Sequence, residues 1–166
     1  MIKVGDQLPE ATLWELPVEY VHGCPTGPEA VKLPEATKGK RVLIFALPGA
    51  YTRTCSSQHV PGYVKHIADF KGKKVDEVWC VSVNDAMVMA AWGKDLGAIG
   101  KVRMLGDGSA DLAKKLGVDQ DLTARGMGVR SQRYAMLVDD GVVKQFQLEA
   151  PGKFEVSGAD KMLALV

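Results

Sequence analysis

The sequence predicts an α/β fold in which a mixed central sheet is flanked by helices on both faces. Two continuous apolar runs, RVLIFAL (41–47) and DEVWCVSV (76–83), are typical of strands that are covered on both sides. VRMLGD (102–107) is interpreted as a third strand, and helix-like segments separate the three. Because this alternation of strands and helices ends in a hairpin, we expect parallel and antiparallel strands in one sheet.

Local signals predict the ends of the chain and the first helix. Residues 11–33 alternate apolar and polar side chains around GCPTGP, which indicates an N-terminal hairpin or meander. A helix is expected over 53–71, with a kink at Pro61 because proline cannot donate a helical hydrogen bond. Residues 133–148 predict a second hairpin that turns at Asp140–Gly141.

Three further helices are expected, over 85–98, 109–117 and 158–166. Asn84 or Asp85 would cap the first of them, because both side chains can accept hydrogen bonds from free backbone N–H groups. Gly117 would end the second, since glycine adopts the left-handed conformation that commonly closes a helix.

Length and charge bound the class of protein. The 166 residues are expected to form one domain, 1–166, with a formal charge of +1 from 21 basic and 20 acidic residues. Such a balance predicts neither nucleic-acid nor membrane binding. The N-terminus has no apolar signal region, so we expect a cytoplasmic protein. No dinucleotide fingerprint or phosphate loop occurs, and no cofactor is expected.

The three cysteines are Cys24, Cys55 and Cys80. Their odd number argues against a disulfide framework, and no CxxC or Cys/His zinc spacing occurs. Cys55 lies just beyond the first buried strand, where an open sheet places its site, and at a predicted helix start. A helix N-terminus and the nearby Arg53 would both favour the thiolate, which is the nucleophilic form.

From the residues alone, a catalytic Cys55 and an incidental one are about equally favoured. Thr52 offers a hydroxyl to a small oxygen-bearing substrate, but a simple N-cap role is equally open. Pro48 would stiffen the turn and shield the thiol from water.

The stretch PGAYTRTCSSQHVPGY (48–63) contains Pro48, Thr52 and Cys55 in the spacing PxxxTxxC, and it resembles the type II, peroxiredoxin-five-like subfamily of peroxiredoxins. Similar blocks follow at 81–93, 101–117 and 130–143. The resemblance implies a thioredoxin-like fold, a homodimer, and a thiol peroxidase that reduces hydrogen peroxide and small alkyl hydroperoxides.

The resemblance also implies roles for single residues. Cys55 would be the peroxidatic cysteine, Thr52 would bind the peroxide, and Pro48 would shield the site. Arg133 would be the active-site arginine and would act with backbone N–H groups near Thr54, while Arg130 is the competing candidate.

Two positions near the motif are less decisive. The subfamily usually has proline where this chain has Arg53, which would alter the charge around the site and the choice of reductant. His59, four residues after Cys55, would tune the thiol or help the leaving group, although a purely packing histidine is somewhat favoured.

Recycling of the oxidised cysteine leaves two mechanisms open. Cys80 lies in an apolar strand-like run, so it is expected to be an inert core residue, with a resolving role as the alternative. Cys24 is expected in a loop as a bystander, and Ser157 stands where some animal members carry a C-terminal resolving cysteine. We therefore expect a one-cysteine cycle with glutathione or glutaredoxin as reductant. Thioredoxin would be the reductant of a two-cysteine cycle.

Two other functions share these features. A peroxide sensor that passes oxidation to a partner would use the same chemistry, and only turnover with a reductant separates it from a peroxidase. A binding or chaperone module that has lost turnover is disfavoured by the complete set of Pro48, Thr52, Cys55 and Arg133.

Overall fold

Nine strands and six α-helices occupy residues 1–17 and 27–166, the part of the chain that this computed structural model describes. The strands are β1 (Thr12–Glu15), β2 (Glu29–Lys32), β3 (Arg41–Leu47), β4 (Glu77–Ser82), β5 (Arg103–Gly106), β6 (Asp119–Asp121), β7 (Val129–Ser131), β8 (Tyr134–Asp139) and β9 (Val142–Leu148). The helices are α1 (Leu33–Thr37), α2 (Val60–Lys65), α3 (Ile67–Gly72), α4 (Ala86–Asp95), α5 (Asp111–Leu116) and α6 (Ala159–Leu163). A π-helical turn (Cys55–His59) precedes α2, and a 3₁₀ turn (Thr123–Arg125) precedes β7.

Seven of these strands form one sheet in the order β2-β1-β5-β4-β3-β8-β9. The three central strands β3, β4 and β5 run parallel, whereas β8 and β9 on one side and β1 and β2 on the other pair antiparallel. The predicted mixed sheet is therefore confirmed. The N-terminal hairpin extends this same sheet, because β1 pairs with both β2 and β5. Residues 23–26 of the GCPTGP stretch of that hairpin, including Cys24, lie outside the described residues.

Strand β3 is apolar from Val42 to Leu47, and these residues are buried on both faces of the sheet. Leu43, Phe45 and Leu47 point into one buried cluster, and Val42, Ile44 and Ala46 point into a second. Side chains alternate between the faces of a sheet, so a strand with a core on each face needs apolar residues at every position. Each of the larger side chains among them, all but Ala46, stabilises the fold by roughly 1.5–3 kcal/mol when fully buried.

The helix predicted over 53–71 is interrupted twice. Residues 55–59 form a π-helical turn in which the Val60 N–H donates to the Cys55 carbonyl, and a second break lies at His66. The expected kink at Pro61 is thus displaced by one turn. Proline removes a donor and its ring crowds the carbonyl four residues earlier, so the wider turn before it relieves that crowding.

Turns and caps agree largely with the sequence. Asp85 caps α4 by accepting a 2.8 Å hydrogen bond from the Val88 N–H, whereas Asn84, the alternative cap, contacts other groups. Gly117 ends α5 with φ at +74°. Asp140 and Gly141 both have positive φ, as the predicted β8–β9 turn requires. Across residues 1–17 and 27–166, no helix is long and apolar enough to cross a bilayer.

Candidate active site

Cys55 lies beyond the carboxyl end of β3, at the start of the π-helical turn, as expected from the sequence. Its side chain is fully buried, and its sulfur is a free thiol. The residues between Leu47 and Cys55 form the turn that carries the Pro48–Thr52 motif, so strand β3 fixes where the thiol lies.

Arg133 contacts the Cys55 sulfur directly. It immediately precedes β8, whose Tyr134 pairs with Ala46 near the end of β3, so the antiparallel register brings Arg133 to the thiol. Its Nη2 atom donates to Cys55 Sγ over 3.2 Å. The guanidinium is therefore a hydrogen-bond donor placed directly at the sulfur, and it cannot itself lose its proton.

His59 is buried and contacts Arg133 rather than the sulfur. Its Nε2 atom lies 3.1 Å from the Ser157 carbonyl oxygen, which can only accept, so Nε2 carries the ring proton. The Nδ1 atom then accepts from Arg133 Nη1 over 2.8 Å. Burial, followed by the charge of Arg133, lowers the pKa of His59 to about 3, so the ring is neutral at physiological pH.

The hydroxyl of Thr52 acts as a hydrogen-bond donor within its own turn. The Oγ1–H group donates to the Gly49 carbonyl oxygen over 2.8 Å, which leaves the oxygen able to accept from a bound molecule. This is not an N-cap contact, in which the hydroxyl oxygen would accept from a helix N–H group.

Arg130, the competing arginine, donates to backbone carbonyls, one of them in the turn that begins at Pro48, and not to the thiol. Its Nη1 atom donates to the Pro48 carbonyl over 3.2 Å, and its Nε atom donates to the Met127 carbonyl over 2.8 Å. A Cβ atom on Gly49 would lie 2.7 Å from Arg130 Nη1, so only glycine admits this close approach.

Two further contacts hold the same turn. Asn84 accepts from the Ala50 N–H over 3.0 Å and from the Ser82 hydroxyl over 2.7 Å, which ties the turn to the end of β4. Tyr51 has a φ of +60°, an unusual value for a bulky residue, and its hydroxyl donates to Asp95 over 2.7 Å. Several contacts that the sequence motif does not reveal therefore hold this turn in one conformation.

A cavity of about 180 Å³ is lined by Arg133 and by Thr54, the residue before Cys55, whereas the buried Cys55 is not part of its wall. Pro48, Thr54 and Arg133 line one side, and the 149–154 segment, which ends in Phe154, lines the other. The Arg133 guanidinium carbon lies 5.7 Å from the centre of the Phe154 ring. Arg133 therefore belongs both to the cavity wall and to the environment of the sulfur.

The remaining predicted residues lie elsewhere or on the periphery. Cys80 is fully buried in β4, where it pairs with Phe45 and Met104, and burial raises the pKa of its thiol well above the usual value. Arg53 is exposed. In the described part of the chain, no group of His, Cys, Asp and Glu side chains could hold a metal ion.

Sequence reasoning missed the residues that support Arg133 through its contact with His59. The Ser157 carbonyl and the buried carboxylate of Glu149 belong to this support, and neither residue carries a recognisable motif. Phe154 was missed for the same reason.

Comparisons with known proteins place this chain among related sequences and structures. The family profile described as Redoxin matches residues 3–163. Peroxiredoxin-2E, a chloroplastic protein of Arabidopsis thaliana, is 46% identical over 164 residues, which cover 98% of this chain and 68% of the plant protein. The reduced Prx3 of Vibrio vulnificus, whose crystal structure contains hydrogen peroxide, is 45% identical with a TM-score of 0.92 over 99% of each chain.

A third similar protein carries a different description. A Burkholderia cenocepacia protein that has been provisionally assigned as a thioredoxin reductase is 58% identical, with a TM-score of 0.95 over 100% of this chain and 98% of that one. The present sequence has no G-x-G-x-x-G dinucleotide fingerprint, which reductases that bind nicotinamide or flavin dinucleotides commonly carry.

Proposed function

The chain belongs to the redoxin family and is a peroxiredoxin, a thiol peroxidase, and we propose that Cys55 is the residue that attacks the peroxide. The observation that carries this proposal is the 3.2 Å contact between Arg133 Nη2 and Cys55 Sγ at the end of β3. The substrates we propose are hydrogen peroxide and small alkyl hydroperoxides, which the small cavity beside Arg133 could admit.

The first step forms one S–O bond and breaks one O–O bond. The Cys55 thiolate attacks the terminal oxygen of the hydroperoxide and becomes a sulfenic acid, Cys–SOH. The other oxygen leaves with the electron pair as an alkoxide or hydroxide and takes a proton to become an alcohol or water. Sulfur is oxidised by two electrons, and the peroxide is reduced by two.

Arg133 and Thr52 would act on different parts of the substrate. Arg133 cannot lose its proton, and its donors stabilise both the thiolate and the charge that develops on the departing oxygen. Thr52 Oγ1, whose proton is engaged by Gly49, accepts the O–H of the incoming peroxide and orients it for in-line attack. Pro48 and Phe154 would limit the access of water.

We propose that an external thiol completes the cycle. Glutathione, alone or with glutaredoxin, attacks the sulfenic acid and releases water, which leaves a mixed disulfide on Cys55. A second thiol then releases reduced Cys55 and oxidised glutathione. The burial of Cys80 in a central strand supports this one-cysteine cycle over an internal disulfide. We also propose a homodimer, which the family resemblance implies, and a reducing cytoplasmic environment, which the N-terminal sequence favours.

Peroxide consumption measured side by side with glutathione/glutaredoxin and with thioredoxin tests these assignments. We expect turnover with the glutathione system. In single turnover, Cys55→Ser should remove peroxide reduction, while Cys80→Ser and Cys24→Ser should retain it. Full single-turnover activity in Cys55→Ser would move the nucleophile elsewhere, and turnover with thioredoxin alone would reject the proposed reductant.

A further inference from the structure

The carboxylate of Glu149 gathers four hydrogen bonds on one oxygen. Glu149 follows β9 directly and is 5% exposed. Its Oε1 atom accepts from the backbone N–H groups of Glu155, Val156 and Ser157 over 2.8, 2.7 and 2.8 Å, and from the Ser157 hydroxyl over 2.9 Å. One side chain therefore holds the whole 155–157 turn in place.

Glu149 is ionised within this turn. Burial alone would raise the pKa of its carboxyl group, but the hydrogen bonds from Val156, Ser157 and Glu155 outweigh burial and lower it below the usual value. Charge-assisted hydrogen bonds of this kind are stronger than neutral ones, so the turn is held firmly in the anionic state of Glu149.

The turn contacts the active site through one atom, the Ser157 carbonyl oxygen. It accepts from His59 Nε2 over 3.1 Å and from the Tyr63 hydroxyl over 2.7 Å. The Glu149 backbone N–H also donates to the Arg133 carbonyl over 3.0 Å. The 149–157 segment therefore contacts Arg133 at its first residue and His59 at its last.

The position of the Ser157 carbonyl decides which nitrogen of His59 carries the proton. While Nε2 donates to that carbonyl, Nδ1 is bare and can accept from Arg133. If the carbonyl moves away, the Nδ1–H tautomer is no longer disfavoured, and it would present a donor to a guanidinium that can only donate. Arg133 would then lose the contact that aims its Nη2 atom at the sulfur.

We propose that Glu149 is a positioning residue, whose carboxylate folds the 155–157 turn so that Ser157 fixes the His59 tautomer that holds Arg133 against Cys55. The inference rests on the proposed role of Cys55 and Arg133 and deepens it. Glu149 belongs to the segment that lines the cavity, but its Oε1 atom is engaged by the 155–157 turn, so we infer that its carboxylate acts on the reaction through Ser157, His59 and Arg133.

The test compares Glu149→Gln with Glu155→Gln in the full chain. Both substitutions replace a carboxylate with an amide in the same segment, but the Glu155 side chain is exposed. We expect Glu149→Gln to slow single-turnover peroxide reduction roughly 10- to 100-fold, the range found for lost supporting contacts and small misplacements. Alkylation of Cys55 by iodoacetamide at pH 7 should slow as well, and Glu155→Gln should match the wild type in both.

Two readouts separate positioning from a loss of general stability. The ¹⁵N spectrum of labelled His59 reports its tautomer, and we expect Nδ1 to gain protonated character in Glu149→Gln alone. In an Arg133→Lys background, Glu149→Gln should have little further effect on the rate, because its action passes through Arg133. Equal losses in both backgrounds would overturn the proposal.

A folded Glu149→Gln protein with the wild-type rate and tautomer would also overturn it. If this variant does not fold, Ser157→Ala decides the question, because it removes one of the four donors and keeps the carboxylate. We then expect a smaller loss of rate with the same ¹⁵N shift, and wild-type values of both would reject the proposal. The proposed function itself is decided separately, by wild-type turnover and by Cys55→Ser.

Discussion

The Nδ1 atom of His59 accepts a 2.8 Å hydrogen bond from Nη1 of Arg133, so a buried histidine supports the cation and not the thiol. The contact requires a neutral ring with its proton on Nε2. Burial and the adjacent guanidinium keep the pKa of His59 near 3, which secures that state at every physiological pH. His59 also packs against Phe45 and Phe154, with ring centres 4.9 Å apart in each case, so the packing role expected for it is present as well.

The buried neutral state of His59 predicts a dependence of stability on pH. The unfolded chain binds a proton near pH 6.5, while the folded chain resists protonation down to about pH 3. Stability should therefore fall as the pH drops through this window, with a loss of about 2 kcal/mol between pH 8 and pH 5 from this group alone. Denaturant unfolding at several pH values measures it.

The matched pair for this measurement is His59→Gln and His66→Gln. His59→Gln should flatten the slope of unfolding free energy against pH between 5 and 6.5. His66 is only half-buried and lies 2.8 Å from Asp69, so its replacement should leave the slope due to His59 in place. An unchanged slope in His59→Gln would mean that the ring is not buried in the neutral state.

Thr52 should act through its hydroxyl oxygen. Thr52→Ser keeps that oxygen and should retain most of the peroxidase rate, whereas Thr52→Val should lose it while the protein stays folded. The expected loss is on the order of 10²–10³, by analogy with the loss of one preorganised hydrogen bond in an oxyanion hole. Stopped-flow peroxide reduction and a thermal melt of each variant provide the comparison, and a valine variant with threonine-like kinetics would remove the hydroxyl from the mechanism.

The function of Arg133 should depend on the planar guanidinium group with its two donor ends as well as on its positive charge. One end of the guanidinium donates to His59 and the other to Cys55, and a lysine amine cannot reach both in this geometry. Arg133→Lys should therefore slow both peroxide reduction and Cys55 alkylation at pH 7, by about 10² for the former.

Arg130→Lys provides the contrast to Arg133→Lys. The Arg130 guanidinium group donates to two backbone carbonyls, those of Pro48 and Met127. We expect a lower melting temperature because the turn loses support, with alkylation of Cys55 near the wild-type rate. The opposite pattern, with alkylation impaired in Arg130→Lys alone, would assign the active-site role to Arg130.

Local sequence signals predicted the elements that depend on local chemistry. The apolar run of β3, the cap at Asp85 and the turn at Asp140–Gly141 each follow from the residues that form them. The position of Cys55 at the end of β3 follows from the same reasoning. The short polar strands β6 and β7 and the helix α1 carried no such signal and were not predicted.

The support of the active site depends on contacts between distant residues, which local patterns do not encode. Arg133 lies 78 residues from Cys55, and Ser157 lies 98 residues from His59. Without the family resemblance, Arg133 could not be distinguished from a surface cation. Glu149 could not be identified as buried, because an isolated glutamate after a strand is usually exposed.

Cys80 should be dispensable for turnover, because the fold isolates its sulfur. It is fully buried in β4 between β3 and β5, and burial keeps it in the unreactive thiol form. An internal disulfide would require local unfolding of the central sheet, whereas attack by an external thiol would require only the turn around the buried Cys55, beyond the end of β3, to open. Cys80→Ser should therefore retain steady-state activity with glutathione or glutaredoxin.

Equimolar peroxide with glutathione should give a mixed disulfide on Cys55, visible by intact mass and peptide mapping. A dominant Cys55–Cys80 disulfide, together with loss of turnover in Cys80→Ser, would instead establish a two-cysteine enzyme whose central sheet opens in every cycle.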